Sequence, residues 1–252
     1  FMFDSTGLAG YDVVAFETMT HEGEEYMVHA DIEDEGQIVD VIDIHTTAAN
    51  PATGDNLGST AEELRLTDTV AYQNLTPGNT YKLVTTLYDS AEGKEIIGAD
   101  GNVASAETEF APEAEDGTVD VPMTVKTDCA GGHTLVFFER LLDSEGNTVA
   151  THADAEDEGQ SVHFADIRTN AVDADDGDKN VVADGTAQVT DAVTYGNLVP
   201  GKEYILTGTL MDKATGEPLK DAKGSVVTST AAFTPEKADS TVDVAFEFDA
   251  TG

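Results

Sequence analysis

The sequence LTDTVAYQNLTPG at residues 66–78 returns as VTDAVTYGNLVPG at residues 189–201, an offset of 123 positions (189 minus 66). A second run, HADIEDEGQ at residues 29–37, returns at the same offset as HADAEDEGQ at residues 152–160. Similarity at a constant spacing is typical of tandem repeats, in which each unit packs against its neighbours. The chain is therefore predicted to be an array of one repeated unit.

The spacing divides the chain into one complete unit and two partial units. We expect residues 44–166 to form the complete repeat, residues 1–43 the C-terminal part of a preceding repeat, and residues 167–252 the N-terminal part of a following repeat. The junction VID at residues 41–43 has none of the Pro, Ser or Gly of a flexible linker. Neighbouring repeats are therefore expected to lie end to end.

Short runs of apolar and polar residues predict β-strands throughout the repeat. Examples are YKLVT at residues 81–85 and TLVFF at residues 134–138, and turn signals such as PG at residues 77–78 bound the runs. No segment carries a sustained helical period. About seven short strands in a unit of this length are typical of an immunoglobulin-like sandwich. The predicted fold is all-β, a tandem array of immunoglobulin-like β-sandwich repeats.

The charge of the chain excludes several classes of partner. It contains 12 Lys+Arg against 50 Asp+Glu, a formal net charge of −38. Nucleic acid binding requires a basic surface, and an anionic membrane repels an acidic protein, so neither is an expected partner. Cys129 is the single cysteine, so no disulfide forms within the chain. No apolar run is long enough to span a bilayer, and membrane insertion is not expected of this segment.

Several polar positions fall on strand faces that are otherwise apolar. Alternate residues of a strand share a face, and this rule groups Asp68 and Glu139 with apolar neighbours. Thr46 and Gln160 have similar neighbours. Because a buried carboxylate without a partner is costly, these groups are expected to meet one another. Glu139 and His152 flank one hairpin turn symmetrically, so they are expected to be cross-strand neighbours.

These residues resemble the motif of a known family. The run His-x-Asp-x-x-Asp-x-x-Gln at residues 152–160, the Phe-Glu at residues 138–139 and the Thr at the start of the unit are similar to the Thr–Gln ester-bond domains of Gram-positive surface adhesins, also called VaFE repeats. Residues 14–17 read Val-Ala-Phe-Glu. The resemblance covers essentially the whole chain, and it implies the collagen-adhesin B-type form of the sandwich.

The resemblance implies a specific covalent bond. In that family a threonine of the first strand and a glutamine of the last strand join through a self-formed ester, with a histidine and two acids as helpers. Carried over to this chain, the cross-link joins Thr46 to Gln160. His152 and Asp68 match two helpers, and Glu139 is assigned as the second acid.

The partial repeats carry the same residue types. In residues 167–252 an acid, Glu247, lies on a strand next to the one expected to hold the second helper acid. The complete repeat has Thr124 at the corresponding position, so the assignment of the second acid has an alternative. The counterparts of the site residues are Gln37, His29 and Glu17 before the complete repeat, and Thr169 and Asp191 after it. In a fibre of copies, we expect Thr169 of one copy to lie beside Gln37 of the next.

The implied chemistry is acyl transfer from a carboxamide to a hydroxyl, with loss of ammonia. A threonine hydroxyl is a weak nucleophile and requires a base, for which histidine is suited. Two neighbouring buried carboxyl groups do not easily both ionise, so one can stay protonated and polarise the glutamine carbonyl. The reaction occurs once per domain, so we expect neither a turnover enzyme nor a cofactor.

Two acidic runs are interpreted as structural. The run at residues 173–178 resembles a calcium loop, but it lacks the spacing and the distal Glu of an EF-hand, so we expect a hairpin turn without a metal. The run at residues 154–158 is interpreted as a solvated strand end.

The predicted function is that of a structural stalk or fibre module of a bacterial cell-surface protein, extracellular and anchored to the cell wall. Its partners are neighbouring repeats in a linear fibre, and the ester provides mechanical and proteolytic stability. One alternative, a ligand-binding adhesin domain, needs an exposed aromatic or polar loop cluster, and the chain has no Trp. Another, an isopeptide-type pilin module, needs a lysine in the first strand, which the complete unit lacks. A hydrolase would need an open cleft.

Overall fold

The computed structural model describes residues 2, 4–5, 7–97, 102–183 and 185–250. Regular structure in these residues is β-strand, apart from two single-turn 3-10 helices at Glu35–Gln37 and Glu158–Gln160. No helix among them is long and apolar enough to cross a membrane. The chain divides into two compact units. The first comprises the residues up to Leu57, Glu62–Lys126 and Leu135–Val162, and the second comprises Gly58–Ala61, Thr127–Thr134 and the residues from His163 onward.

The first unit opens with two antiparallel strand pairs. Their strands are β1 (Asp12–Val14), β2 (Glu17–His21), β3 (Glu24–His29) and β4 (Ile38–Asp40). β1 pairs with β4, and β2 pairs with β3. The first 3-10 turn, capped by the side chain of Asp34, leads directly into β4.

The complete repeat follows. Its strands are β5 (Asp43–Ala49), β6 (Leu57–Gly58), β7 (Leu64–Gln73), β8 (Tyr81–Asp89), β9 (Lys94–Glu95), β10 (Ser105–Phe110), β11 (Gly117–Val125), β12 (Thr134–Leu142), β13 (Thr148–His152) and β14 (Ser161–Phe164). One sheet has the order β11-β7-β5. The other has the order β10-β8-β12-β14-β6, with β9 added beside β8 and β13 beside β12.

Alternation along the strands directs one face of each sheet into a shared core. In β8 every second residue is buried, from Tyr81 to Asp89, and the residues between them are partly exposed. The core cluster draws on both sheets and consists of Ile44, Val70, Tyr72, Leu75, Tyr81, Leu83, Val121 and Leu141. Two sheets that share a core form a β-sandwich, so the predicted fold class is confirmed.

The strands from residue 166 onward repeat this arrangement. They are β15 (Asp166–Asp173), β16 (Thr186–Gly196), β17 (Tyr204–Thr209), β18 (Thr228–Phe233) and β19 (Ser240–Asp249). One sheet has the order β15-β16-β19, and β17 pairs with β18. Thr169 lies opposite Val193, as Thr46 lies opposite Val70, so the register of the first two strands recurs.

The two acidic runs differ in structure. The run at residues 154–158, predicted to be a solvated strand end, begins two residues after the last residue of β13, and its Asp154, Glu156 and Glu158 are exposed. β13 stops at His152, and Asp157 caps the second 3-10 turn by accepting a hydrogen bond from the Gly159 amide at 2.8 Å. Aspartate favours such caps because its short side chain reaches the free backbone N–H groups. The run at residues 173–178 forms a turn at the start of the β15–β16 connection.

Candidate cross-link site

Three strands of the complete repeat direct polar side chains into the core. Thr46 on β5 is 6% exposed, Asp68 on β7 is 0% exposed, and Glu139 on β12 is 2% exposed. Asp68 lies opposite Ala48, two residues along β5 from Thr46, so both side chains share the core face of one sheet. Glu139 lies opposite His152, as predicted. The fold therefore brings these polar groups into an otherwise apolar interior.

The amide of Gln160 is held at every polar atom. Its side chain is 0% exposed at the end of the second 3-10 turn. Nε2 donates to the Phe137 carbonyl at 2.5 Å, to Glu139 Oε2 at 2.8 Å and to the His152 carbonyl at 3.1 Å. Oε1 accepts a hydrogen bond from the backbone N–H of Asp154 at 3.2 Å. The carboxamide is thus fixed in orientation, with its carbonyl facing a backbone donor.

His152 is oriented by an acid that the sequence analysis did not assign. Its Nε2 lies 3.0 Å from Asp157 Oδ2, and its Nδ1 is buried without a hydrogen-bond partner. The same pair recurs in the preceding repeat, where His29 Nε2 lies 3.0 Å from Asp34 Oδ2. An acid bound to one imidazole nitrogen directs the other nitrogen toward a reacting group. The available signal was the His-x-x-x-x-Asp spacing, which occurs in both repeats.

Thr46 lies next to the glutamine and histidine segments. A Cβ placed on Gly159 would be 3.1 Å from the Thr46 carbonyl oxygen, so the 3-10 turn contacts β5 at this residue. The ring of His45, its neighbour, is 5.5 Å from the ring of His152. Thr46 Oγ1 is buried and makes no hydrogen bond. A buried hydroxyl without a partner therefore lies on the strand that contacts the 3-10 turn of Gln160.

Other buried polar atoms of the cluster also lack partners. They are both carboxylate oxygens of Asp68, Oε1 of Glu139 and Oγ1 of Thr85, the residue opposite Glu139 on β8. Each such group costs about 1–3 kcal/mol when it is left unsatisfied in a dry core. A site that retains this cost is typical of chemistry rather than of packing.

Burial dominates the electrostatics of the two acids. It raises the pKa of Asp68 to about 6, and the nearby side chains of Glu139 and Thr46 oppose this effect only in part. Burial raises the pKa of Glu139 further, because the negative charge of Asp68 adds to the desolvation. Two carboxyl groups this close do not both ionise, so Glu139 retains its proton.

The stretches before and after residues 44–166 carry parts of the same arrangement. In the first unit Gln37 Nε2 donates to Glu17 Oε2 at 3.1 Å and to the His29 carbonyl at 3.2 Å, and Gln37 Oε1 accepts from the Asp31 amide at 3.2 Å. This set of bonds matches that of the complete repeat. In the second unit Thr169 is exposed on β15, and Asp191 is partly buried on β16 with Oδ1 unpartnered.

The alternative for the second acid does not enter the core. Thr124 is exposed on β11. Its counterpart Glu247 is also exposed and accepts a hydrogen bond from Gln188 Nε2 at 3.0 Å. The core position belongs to Glu139.

The acidic turn after β15 is built from self-capping residues. Carboxylate oxygens of Asp173, Asp176 and Asp178 lie within 4.8 Å of one another. Asp173 accepts from the Asp175 amide at 2.9 Å, and Asp176 accepts from the Asp178 amide at 3.0 Å. In these bonds the carboxylates accept from backbone N–H groups of the same turn. The absence of a metal there stays a prediction.

Comparison with known proteins extends over the whole chain. A family model described as the T-Q ester bond containing domain matches residues 1–41, 42–164 and 165–252. No curated protein matches the chain. A solved bacterial adhesin from Mobiluncus mulieris, containing intramolecular disulfide, isopeptide and ester bond cross-links, is 13% identical over 81% of this chain and 99% of that chain, with a TM-score of 0.42. A second crystal form of that adhesin is 13% identical over 81% and 92% of the two chains, with a TM-score of 0.40. A DUF4466 family protein from Parabacteroides merdae is 9% identical over 81% and 97%, with a TM-score of 0.28.

The family match and the geometry agree on the same part of the chain. The matched stretch at residues 42–164 contains all five residues assigned to the cross-link site, namely Thr46, Asp68, Glu139, His152 and Gln160. The three matched stretches follow one another without a gap. The chain therefore belongs to the family of T-Q ester bond containing domains.

Proposed function

We propose that Thr46 and Gln160 form an intramolecular ester that locks the complete repeat. The observation that carries this proposal is the buried, fully bonded Gln160 carboxamide at the end of a 3-10 turn that contacts β5, the strand on which the buried Thr46 hydroxyl has no partner. Thr46 Oγ1 attacks Cδ of Gln160, the Cδ–Nε2 bond breaks, and the nitrogen departs as ammonia. The hydroxyl loses one proton and the departing nitrogen gains one, so atoms and charge balance.

Each neighbouring group has a role in this reaction. His152, held by Asp157, takes the hydroxyl proton through Nδ1. The Asp154 backbone N–H stabilises the negative charge that develops on Gln160 Oε1. Glu139, kept protonated by burial and 2.8 Å from Nε2, donates a proton to the departing nitrogen, and the proton on His152 replaces it.

The product is a structural module. The family consists of self-cross-linking domains, so the reaction runs once in each domain and there is no turnover. Thr46 belongs to the first strand of the repeat, and Gln160 directly precedes β14, its last strand. A covalent bond between these two segments would carry a pulling force past the core, and it would also hold the ends together against proteases.

We place the module in the stalk of an extracellular, cell-wall-anchored bacterial surface protein. Repeats with boundaries at 1–43, 44–166 and 167–252 would lie end to end in a fibre, where Gln37 and Thr169 would each find a partner in a neighbouring repeat. The high acidic charge suits an exposed surface, since it opposes non-specific association. An isopeptide module is disfavoured, because Lys82 and Lys94 pair with acids on the exposed surface.

Intact mass of the 252-residue chain tests the proposal. We expect the folded protein to be lighter than its sequence by one ammonia, and Thr46→Val to restore the full mass. Thr47→Val is the matched control, because Thr47 lies on the exposed face of the same strand. A folded wild-type protein with unmodified mass would rule out the ester.

A further inference from the structure

Two asparagines occupy the same place in successive copies of the Asn-Leu-x-Pro-Gly motif. Asn74 has a φ of 62° and Asn197 a φ of 58°, the left-handed conformation that Asn tolerates. The chain passes from one repeat to the next over very few residues, since β4 ends at Asp40 and β5 begins at Asp43. The side chains of these asparagines lie at such passages.

In the first unit, Asn74 binds the end of the preceding repeat. Its Nδ2 donates to the Val41 carbonyl at 3.2 Å and to Asp12 Oδ1 at 3.0 Å. Its backbone N–H donates to Asp116 Oδ1 at 3.2 Å, which holds the turn in place. Both side-chain N–H groups therefore reach residues that come before β5 in the chain.

The second unit contains a corresponding contact at Asn197. Asn197 Nδ2 donates to the Phe164 carbonyl at 3.2 Å and to the His133 carbonyl at 2.6 Å. Its backbone N–H donates to Asp239 Oδ1 at 3.0 Å. Phe164 corresponds to Val41 in the repeat, so the bond to the carbonyl at the end of the last strand recurs although the side chain there differs. The second bond of the amide is not shared, because Asn74 uses the Asp12 side chain and Asn197 uses the His133 carbonyl.

We propose that this asparagine is a latch, by which each domain of the array binds the end of the last strand of the domain before it. The partner is a preceding domain of the same family, recognised through a main-chain carbonyl. A carbonyl is present whatever the side chain, so the latch accepts Val41 and Phe164 alike. This explains how repeats of different sequence join without a linker, and it does not depend on the ester.

Hydrogen exchange of the full chain, followed by mass spectrometry, tests the latch. The variant is Asn74→Gly, which keeps the left-handed turn and removes the amide. The reporters are the amides of Gly10, which bonds to the Val41 carbonyl at 3.0 Å, and of Val41, which bonds to the Tyr11 carbonyl at 2.9 Å. We expect both amides to exchange about tenfold faster, as the loss of one to two hydrogen bonds predicts.

Matched variants separate the latch from a simple turn residue. Asn197→Gly should leave the Gly10 and Val41 amides unchanged, and it should speed exchange at Phe164, whose amide bonds to the His133 carbonyl at 2.9 Å. Asn74→Ala tests the turn itself. If Asn74→Gly exchanges like the wild type and only Asn74→Ala is faster, the asparagine serves the turn alone and the latch is refuted. Intact mass of each variant reports separately whether the ester has formed.

Discussion

Gln160 and Gln37 show how closely a short motif specifies its own surroundings. In both repeats the glutamine amide bonds the glutamate before the hairpin and the carbonyl of the motif histidine, and it accepts from the amide two residues after that histidine. These contacts lie within one hairpin and its following turn. They therefore form around Gln37 in the first unit as well.

Asp157 gives the first prediction at this scale. Asp157→Asn should slow ester formation at least about tenfold, because a neutral amide holds His152 less firmly as a base. The rate is measured as loss of ammonia over time after refolding. Asp154→Asn is the control, because Asp154 assists through its backbone N–H, and its side chain only accepts from the Glu156 amide at 2.9 Å. Equal rates in both variants would remove Asp157 from the mechanism.

At the scale of elements, the second 3-10 turn and β5 must approach closely. Gly159 makes this possible, since its Cα faces the Thr46 carbonyl without a side chain between them. The turn is short and capped by Asp157, so it has little freedom to retreat.

Gly159→Ala should separate the two reacting segments. A Cβ 3.1 Å from the Thr46 oxygen requires a shift of a few tenths of an ångström, and catalysis by proximity is sensitive to shifts of this kind. We expect ester formation to slow while the fold persists, as seen by mass and circular dichroism. Gly36→Ala is the matched control, because the atoms near its Cβ belong to the Asp34 side chain. Cross-linking at the wild-type rate in Gly159→Ala would show that the turn has room to adjust.

At the scale of the whole molecule, the ester closes a loop between residues that are 114 positions apart (160 minus 46). A cross-link over a loop of this length stabilises by about 4–5 kcal/mol, mainly by restricting the unfolded chain. We therefore expect Thr46→Val to unfold at a clearly lower urea concentration than the wild type. Thr47→Val, which keeps the bond, should unfold with the wild type. A common unfolding midpoint for all three proteins would contradict a stabilising role.

The buried acids make the uncross-linked protein sensitive to pH. Folding raises the pKa of Glu139 above its ordinary value of 4.5, so above that value the folded chain keeps a proton that the unfolded chain releases. Stability from this group is complete below pH 4.5 and falls as the pH rises. We expect Thr46→Val to be more stable at about pH 5 than at about pH 8.

Glu139→Gln in the Thr46→Val background is the control for this pH effect. The acidic net charge of −38 also disfavours the folded chain as the pH rises, and that contribution stays in both proteins. The double variant should therefore lose stability less steeply with pH than Thr46→Val. Parallel curves for the two proteins would show that Glu139 is already ionised in the folded state.

Repetition and alternation are properties of neighbouring residues, so they could be recognised in the sequence alone. The offset between residues 66–78 and 189–201 predicted the array, and the period of two predicted the strands and the core-facing side of Asp68 and Glu139. The site residues were predicted from a motif within one hairpin and from the family resemblance, which assigned Thr46 as the partner of Gln160. These signals are local in the sequence, so they can be recognised without knowing how the sheets pack.

The packing of the two sheets decided the rest. The Asp154 amide that faces Gln160, the approach of Gly159 to Thr46 and the proposed latch at Asn74 each involve at least one backbone atom. Every residue carries the same backbone atoms, so the sequence does not show which of them make such contacts. The 3-10 turn that Asp157 caps could not be predicted either, because acidic residues suit solvent and caps equally well. The raised pKa of Glu139 likewise depends on the depth of burial and the distance to Asp68, and both arise only when strands from distant parts of the chain meet in one core.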